Sequence, residues 1–124
     1  MTDGIFQRPI KPVKRDPLAV CDWRSLDKGE LQKIDYRALS EQNENGEYIM
    51  EAYALLPPQQ PEAQRWYWMP EQKEDEVLII KFADTAAEHN QDIAGGCPHL
   101  SPIVEGTEEE EPRCSIECRV LAFW

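Results

Sequence analysis

Histidine is scarce in this 124-residue chain, with two copies, and glycine, with six, is outnumbered by ten prolines. Few glycines and many prolines disfavour long helices and favour extended segments separated by turns. No stretch approaches the ~20 apolar residues of a membrane span, and Met1-Thr2-Asp3-Gly4 begins neither a signal peptide nor a transit peptide. The expectation is a protein that stays in the cytoplasm. The four cysteines, Cys21, Cys97, Cys114 and Cys118, contain no Cys-x-x-Cys pair, which argues against a zinc ribbon or a thioredoxin-like site and leaves free thiols packed as small hydrophobes. Positive charge is also short. A net charge of −11 repels phosphate backbones and anionic lipid, so neither nucleic acid nor a membrane surface is an expected partner. Part of that charge sits in Glu108 to Glu111, a like-charge run that reads as a solvated loop.

What remains is a single core's worth of chain, residues 1–124 read as one domain. Residues 1–17 carry prolines at 9, 12 and 17 with basic residues between them and read as an extended arm, at a sheet edge or over the surface. Leu18 to Cys21 reads as a short buried strand, and Ser25 with Asp27 and Glu30 as the cap of one or two helical turns reaching about Ile34. Asn43-Glu44-Asn45-Gly46 marks the turn of a hairpin between the segment of Tyr36 and the alternating run Tyr48 to Leu55. Arg65 to Met69 is aromatic and strand-like, Val77 to Phe82 is the most apolar strand, and Thr85 to Glu88 a helical turn. The four tryptophans, at 23, 66, 68 and 124, are candidates for a core or for an aromatic surface facing a partner.

The last strand, Arg113 to Phe123, is the most informative piece. Alternation places Arg113, Ser115, Glu117 and Arg119 on one side and Cys114, Ile116, Cys118 and Val120 on the other. On periodicity alone this is a half-exposed strand with its charges in water. The pairing of Arg113-x-Ser115 with His99, fourteen positions upstream, suggests a different use. A guanidinium fork takes a carboxylate through parallel charge-assisted hydrogen bonds, a hydroxyl on the same face adds another, and an imidazole can hold a metal.

Four collinear segments carry a family resemblance: Arg8-Pro9-Ile10 through Asp16-Pro17-Leu18-Ala19-Val20-Cys21-Asp22; Gly46-Glu47-Tyr48; Arg65-Trp66-Tyr67-Trp68 through Asp75 to Lys81; and Pro98-His99 with Pro112-Arg113-x-Ser115-Ile116-Glu117-x-Arg119. The chain resembles the carboxy-terminal part of the fungal non-haem iron hydroxylase/desaturase family, of the gibberellin-desaturase-like and cephamycin 7α-methoxylation component-like kind. The resemblance implies a mainly β fold, part of a double-stranded β-helix or jelly-roll, and an oxidoreductase of secondary metabolism that uses Fe(II) and 2-oxoglutarate on a small-molecule substrate. It further implies that His99 is the distal iron ligand and that Arg113 and Ser115 grip the cosubstrate carboxylate. Lys81, Asp84 and Arg119 fall in family motifs as possible support.

The departures are equally specific. The family's other two ligands form a His-x-Asp pair, and no His-x-Asp or His-x-Glu occurs here; His89 is followed by Asn90-Gln91. The expectation is a truncated member, catalytically incomplete alone, with a second chain as one possible source of the missing half. The alternative is a small acidic protein-interaction module without catalysis.

Overall fold

The computed structural model describes residues 1–39 and 46–124, so the turn expected at Asn43 to Asn45 lies outside the described residues. Eight strands follow in order: β1 (Thr2–Pro9), β2 (Ala19–Cys21), β3 (Leu31–Leu39), β4 (Glu47–Leu55), β5 (Trp66–Trp68), β6 (Leu78–Asp84), β7 (His99–Leu100) and β8 (Ser115–Ala122). They form two compact units, one of Met1–Ser25 with Gln64–Trp124, the other of Leu26–Ala63.

The larger unit holds two three-stranded antiparallel sheets, ordered β6-β1-β8 and β5-β2-β7. The chain crosses from one sheet to the other between β1 and β2, between β5 and β6, between β6 and β7, and again between β7 and β8. That alternation is the jelly-roll pattern. The core is small and aliphatic: Ile5 of β1, Ile80 of β6 and Leu18 at the entry to β2 are buried, with Val20, Leu78, Phe82 and Cys97 packed against them. Burying a side chain such as Ile80 contributes about 1.5–3 kcal/mol. The tryptophans are not in that core; Trp23 and Trp66 are half-buried, and Trp68 and Trp124 are exposed.

Residues 1–17 do run extended, but the first half is no edge arm. Β-strand β1 is the middle strand of its sheet, with β6 on one side and β8 on the other. Its inward row alternates cleanly, Asp3, Ile5, Gln7 and Pro9 all being buried. Pro9 closes the strand, where a missing N–H costs the ladder little. Gly4 is required by close approach: a Cβ there would meet the Ile80 carbonyl oxygen at 2.6 Å. The register shifts between Asp3 and Gly4, leaving Phe82 as the unpaired residue of β6.

The basic arm after β1 clasps the acidic run. Lys11 pairs with Glu111, Lys14 with Glu110 at 3.5 Å, and Arg15 Nη1 donates to the carbonyls of Glu108 and Glu110 at 2.9 and 3.0 Å. The run is a loop whose charge is partly met from within the protein. The hydrogen bond from Lys11 holds the Glu111 carboxyl below the usual carboxylate range.

In the smaller unit β3 and β4 form an antiparallel hairpin registered from Leu31 opposite Leu55 to Leu39 opposite Glu47. Helical structure reaching Ile34 is not found. One 3₁₀ turn, Lys28–Glu30, is capped by Asp27, whose carboxylate accepts from the Gly29 N–H at 2.9 Å, and the chain enters β3 at Leu31. The β-favouring run from Ile34 to Tyr36 and its cross-strand partners override the helix signal. Cross-strand pairs Lys33–Glu51 and Arg37–Glu47, at 2.8 and 3.1 Å, fix the register.

Two measurements check this account. Gly4→Ala should destabilise the fold by about 1–3 kcal/mol, seen as a lower urea midpoint, because β1 must move away from β6. Asp3 is held below the ordinary carboxylate range chiefly by the hydrogen bond from Arg119. A depressed carboxylate stabilises the fold above its unfolded pKa and loses that contribution as pH falls through the folded one. Asp3→Asn should therefore be less stable than wild type at neutral pH and lose less stability between about pH 4 and pH 2, in urea midpoints measured against pH.

Candidate functional site

The register of β8 against β1 sets the orientation of its two rows. Ser115 lies opposite Pro9, Glu117 opposite Gln7 and Arg119 opposite Ile5. Directly opposed residues share a face, and those three partners of β1 are buried, so the polar row faces inward. The apolar row faces out, with Ile116 57% exposed and Cys118 exposed too. Both rows of β8 remain open to solvent beyond Ser115, Glu117 being exposed and the Arg119 side chain 58% exposed, so the register sets the side on which the polar row lies rather than its burial.

Arg113 stands just before β8 and is half-buried. Its Nε donates to the carbonyl oxygen of Asp16 at 2.9 Å, Nη1 to the Ser115 hydroxyl at 2.8 Å and Nη2 to the Ser101 hydroxyl at 3.0 Å. Asp16 is one of two non-glycine residues with positive φ among the described residues, at 55°, and it precedes Pro17, so Arg113 holds a strained carbonyl at the entry to β2. Each terminal nitrogen of the guanidinium keeps a second N–H. Both serine hydroxyls accept from the arginine and so keep their own O–H to donate. The result is a compact set of donors with a positive charge, suited to a carboxylate.

His99 begins β7, opposite Val20 of β2. Its Nδ1 lies 2.9 Å from the Cys97 carbonyl oxygen. A carbonyl only accepts, so Nδ1 carries the proton, and in the neutral ring Nε2 presents its lone pair. This is the arrangement that orients metal-binding imidazoles. The ring is stacked on Phe82, with centroids 5.3 Å apart and planes 2° from parallel. Ser101 follows on the same side of the extended chain, two residues or about 6.6 Å on. His99 and the Arg113 group are thus joined through Ser101.

The other singled-out residues anchor this frame. Arg119 binds Asp3, through Nε at 3.0 Å to Oδ1 and through Nη2 to Oδ2, and its guanidinium lies 5.8 Å from the Phe82 ring centroid. Lys81 Nζ donates to Asp84 Oδ2 at 2.7 Å and to the Ala94 carbonyl at 3.3 Å. Asp84 also accepts from the Thr2 hydroxyl and, through Oδ1, from the Ala86 N–H, capping the 3₁₀ turn Thr85–Glu88. Its carboxyl is held low, first by the Lys81 hydrogen bond. His89 closes that turn at the surface, with its N–H on the Ala86 carbonyl.

Among the described residues no group of three or more His, Cys, Asp or Glu could hold a metal ion. The donors fit the two expected groups unequally. A keto acid's distal carboxylate matches Arg113, Ser115 and Ser101, whereas iron would find one imidazole here. Sequence reading passed over Ser101 and Phe82. Ser101 shares its strand face with His99, which was a usable signal; Phe82 carried none, because its contact with His99 depends on the bulge in β6.

A family model described as an oxidoreductase/YMDC permease-like domain matches residues 6–123. The gibberellin cluster GA4 desaturase of Gibberella fujikuroi is 40% identical over 119 residues, which cover 94% of this chain and 33% of that protein. The hydroxylase/desaturase efuI of Hormonema carpetanum is 34% identical, covering 94% of this chain and 39% of its own length. Among solved structures, an iron and alpha-ketoglutarate-dependent endoperoxidase, NvfI, superposes with a TM-score of 0.68 at 26% identity, over 95% of this chain and 40% of that one. The chain therefore spans about a third to two fifths of the length of these relatives. With residues 6–123 matched, the chain belongs to the oxidoreductase/YMDC permease-like family and is a homologue of the carboxy-terminal part of the fungal Fe/2-oxoglutarate-dependent hydroxylase/desaturases.

Proposed function

We propose that His99, Ser101, Arg113 and Ser115 form the cosubstrate end of an Fe(II)/2-oxoglutarate hydroxylase or desaturase site acting on a small molecule of secondary metabolism. The observation that carries this reading is the guanidinium of Arg113 bonded at once to Ser115 and Ser101, with donors left over on all three side chains. Arg113 supplies the charge for the distal carboxylate, the two hydroxyls fix its rotation, and the Asp16 carbonyl holds the guanidinium in place. His99 would offer Nε2 to the metal, which would supply the oxygen chemistry if bound there. Lys81, Asp84 and Arg119 brace the strands from which these groups project.

The relatives' names, a desaturase and a hydroxylase/desaturase, support the reaction class. The remaining two iron donors would come from polypeptide beyond these 124 residues, in the same or a second chain, since the sequence holds no His-x-Asp or His-x-Glu pair. On this reading the 124 residues alone are incomplete for catalysis.

Two titrations test this. Followed by ligand-observed NMR, 2-oxoglutarate should bind the chain, and Arg113→Ala should weaken that binding by about ten-fold or more, the loss of a charge-assisted contact of about 1.5–3 kcal/mol. Ser115→Ala should cost less. Equal binding by wild type and Arg113→Ala would overturn the carboxylate grip. Anaerobic addition of iron(II) with 2-oxoglutarate should give no tight complex; a charge-transfer band at micromolar affinity would show that the chain is complete.

A further inference from the structure

We propose that Phe82 is a positioning residue for His99: the parallel stack of its ring on the imidazole fixes the plane in which the His99 Nε2 lone pair points. This rests on the reading of His99 given above and adds to it a residue that neither the sequence motifs nor the carboxylate grip call for.

An imidazole at a strand end has two soft torsions, and two constraints are needed to aim it. One is the Nδ1–H bond to the Cys97 carbonyl, which fixes the rotation of the ring within its plane. That bond alone leaves the plane free to swing about the N–H···O axis. The second constraint is the stack, at 5.3 Å between centroids with only 2° between planes, an offset parallel arrangement that favours flat contact. Together they leave Nε2 with one direction.

For a stack to aim a ring, its platform must be rigid, and Phe82 is. It packs against the buried cluster of Ile5, Leu18 and Ile80. The Arg119 guanidinium lies over its ring, and Arg119 is itself tied to buried Asp3 by both carboxylate oxygens. The backbone at the same point is clamped to the segment that carries His99. The Cys97 N–H donates to the Lys81 carbonyl at 2.8 Å, and a Cβ on Gly96 would meet the Phe82 carbonyl oxygen at 2.9 Å. So the end of β6 holds β7 three ways: by the Cys97 hydrogen bond, by the close approach at Gly96, and by the ring. The first two place the carbonyl that orients Nδ1, and the third sets the plane.

The test uses the intact, metal-free chain, so it is independent of whether iron or a keto acid binds; the titrations above decide that question separately. In wild-type protein at alkaline pH, nuclear Overhauser contacts should join the Phe82 ring protons to those of His99. The His99 ring protons should also be displaced upfield from those of His89, the other imidazole. Long-range proton–nitrogen spectra should show His99 with its proton on Nδ1. Phe82→Tyr should retain all of these signatures. Phe82→Leu, which keeps an apolar side chain in the core, should keep the amide pattern of the sheets and the proton on Nδ1, lose the upfield displacement, and weaken the Overhauser contacts from the His99 ring to its other neighbours because the ring plane is then free to swing. Unchanged His99 signals in a folded Phe82→Leu chain would overturn the inference. If Phe82→Leu does not fold, the wild-type contacts between the two rings decide, and their absence overturns it.

Discussion

The antiparallel register of β1 against β8 decides which row of the last strand faces the interior, and the candidate site depends on that choice. With Ser115 opposite Pro9, Glu117 opposite Gln7 and Arg119 opposite Ile5, the polar row is the inner one. A slip of one residue would exchange the rows, turning Arg119 outward and Ile116 and Val120 inward. Simple hydrophobic patterning favours that slipped arrangement. The observed register is held instead by directional contacts, the double bond of Arg119 to Asp3 at one end and the Ile10 N–H to the Cys114 carbonyl at the other. Half-burying Arg113 and Ser115 costs some desolvation, and the hydrogen bonds of Arg113 offset it, while Glu117 and Arg119 stay exposed. Gln7 is the exception: its amide is wholly buried, and no partner is found for either of its polar atoms among the described residues.

The same central strand explains why residues far apart in sequence meet. β1 carries β6 on one edge and β8 on the other, so Phe82 and Arg119 come together although 37 positions separate them. The second sheet, through β7, adds His99 to Phe82 and Ser101 to Arg113. Arg113, just before β8, is therefore bonded to Ser101, just after β7, while Arg119 of β8 lies against the Phe82 ring of β6, which in turn stacks on His99 of β7. A rigid frame of this kind suits a site that must hold a charged cosubstrate and an imidazole in a fixed relation.

Much of the strand content was legible because it is local. The apolar run Val77 to Phe82, the alternation from Tyr48 to Leu55 and the pattern of the last strand each announce a strand without reference to anything else. The arm at residues 1–17 was misplaced for a physical reason. Its prolines report correctly on backbone extension, but Pro9 stands at the end of β1, so the strand before it is free to take the centre of a sheet. The helix expected after Ser25 shrank to single 3₁₀ turns because the pairing of β3 with β4 outweighs a weak cap followed by Gly29. At the site, Arg113, Ser115 and His99 were legible as a resemblance and Ser101 as a neighbour of His99. Phe82 was not, since the bulge in β6 at Phe82 itself, which shows only in the pairing with β1, sets its direction.

A structural role for Arg113 accounts for part of the geometry and not for the rest. Holding the Asp16 carbonyl uses the Nε–H alone. Were that the whole function, the two terminal nitrogens would be free to face water, as they do for many partly exposed arginines. Here each meets a serine hydroxyl that has a proton left to give, one in β8 and the other just after β7. Bringing a cation and two donors together with no anion among them leaves their electrostatic potential unneutralised, and a carboxylate is the group that potential would draw in. The acidic balance of the whole chain sharpens the contrast. In a protein with net charge −11, most exposed cations already have carboxylate partners, as Lys11, Lys14, Arg24, Lys33 and Arg37 do. Arg113 is bonded instead to neutral oxygens, which leaves its charge available to an incoming anion.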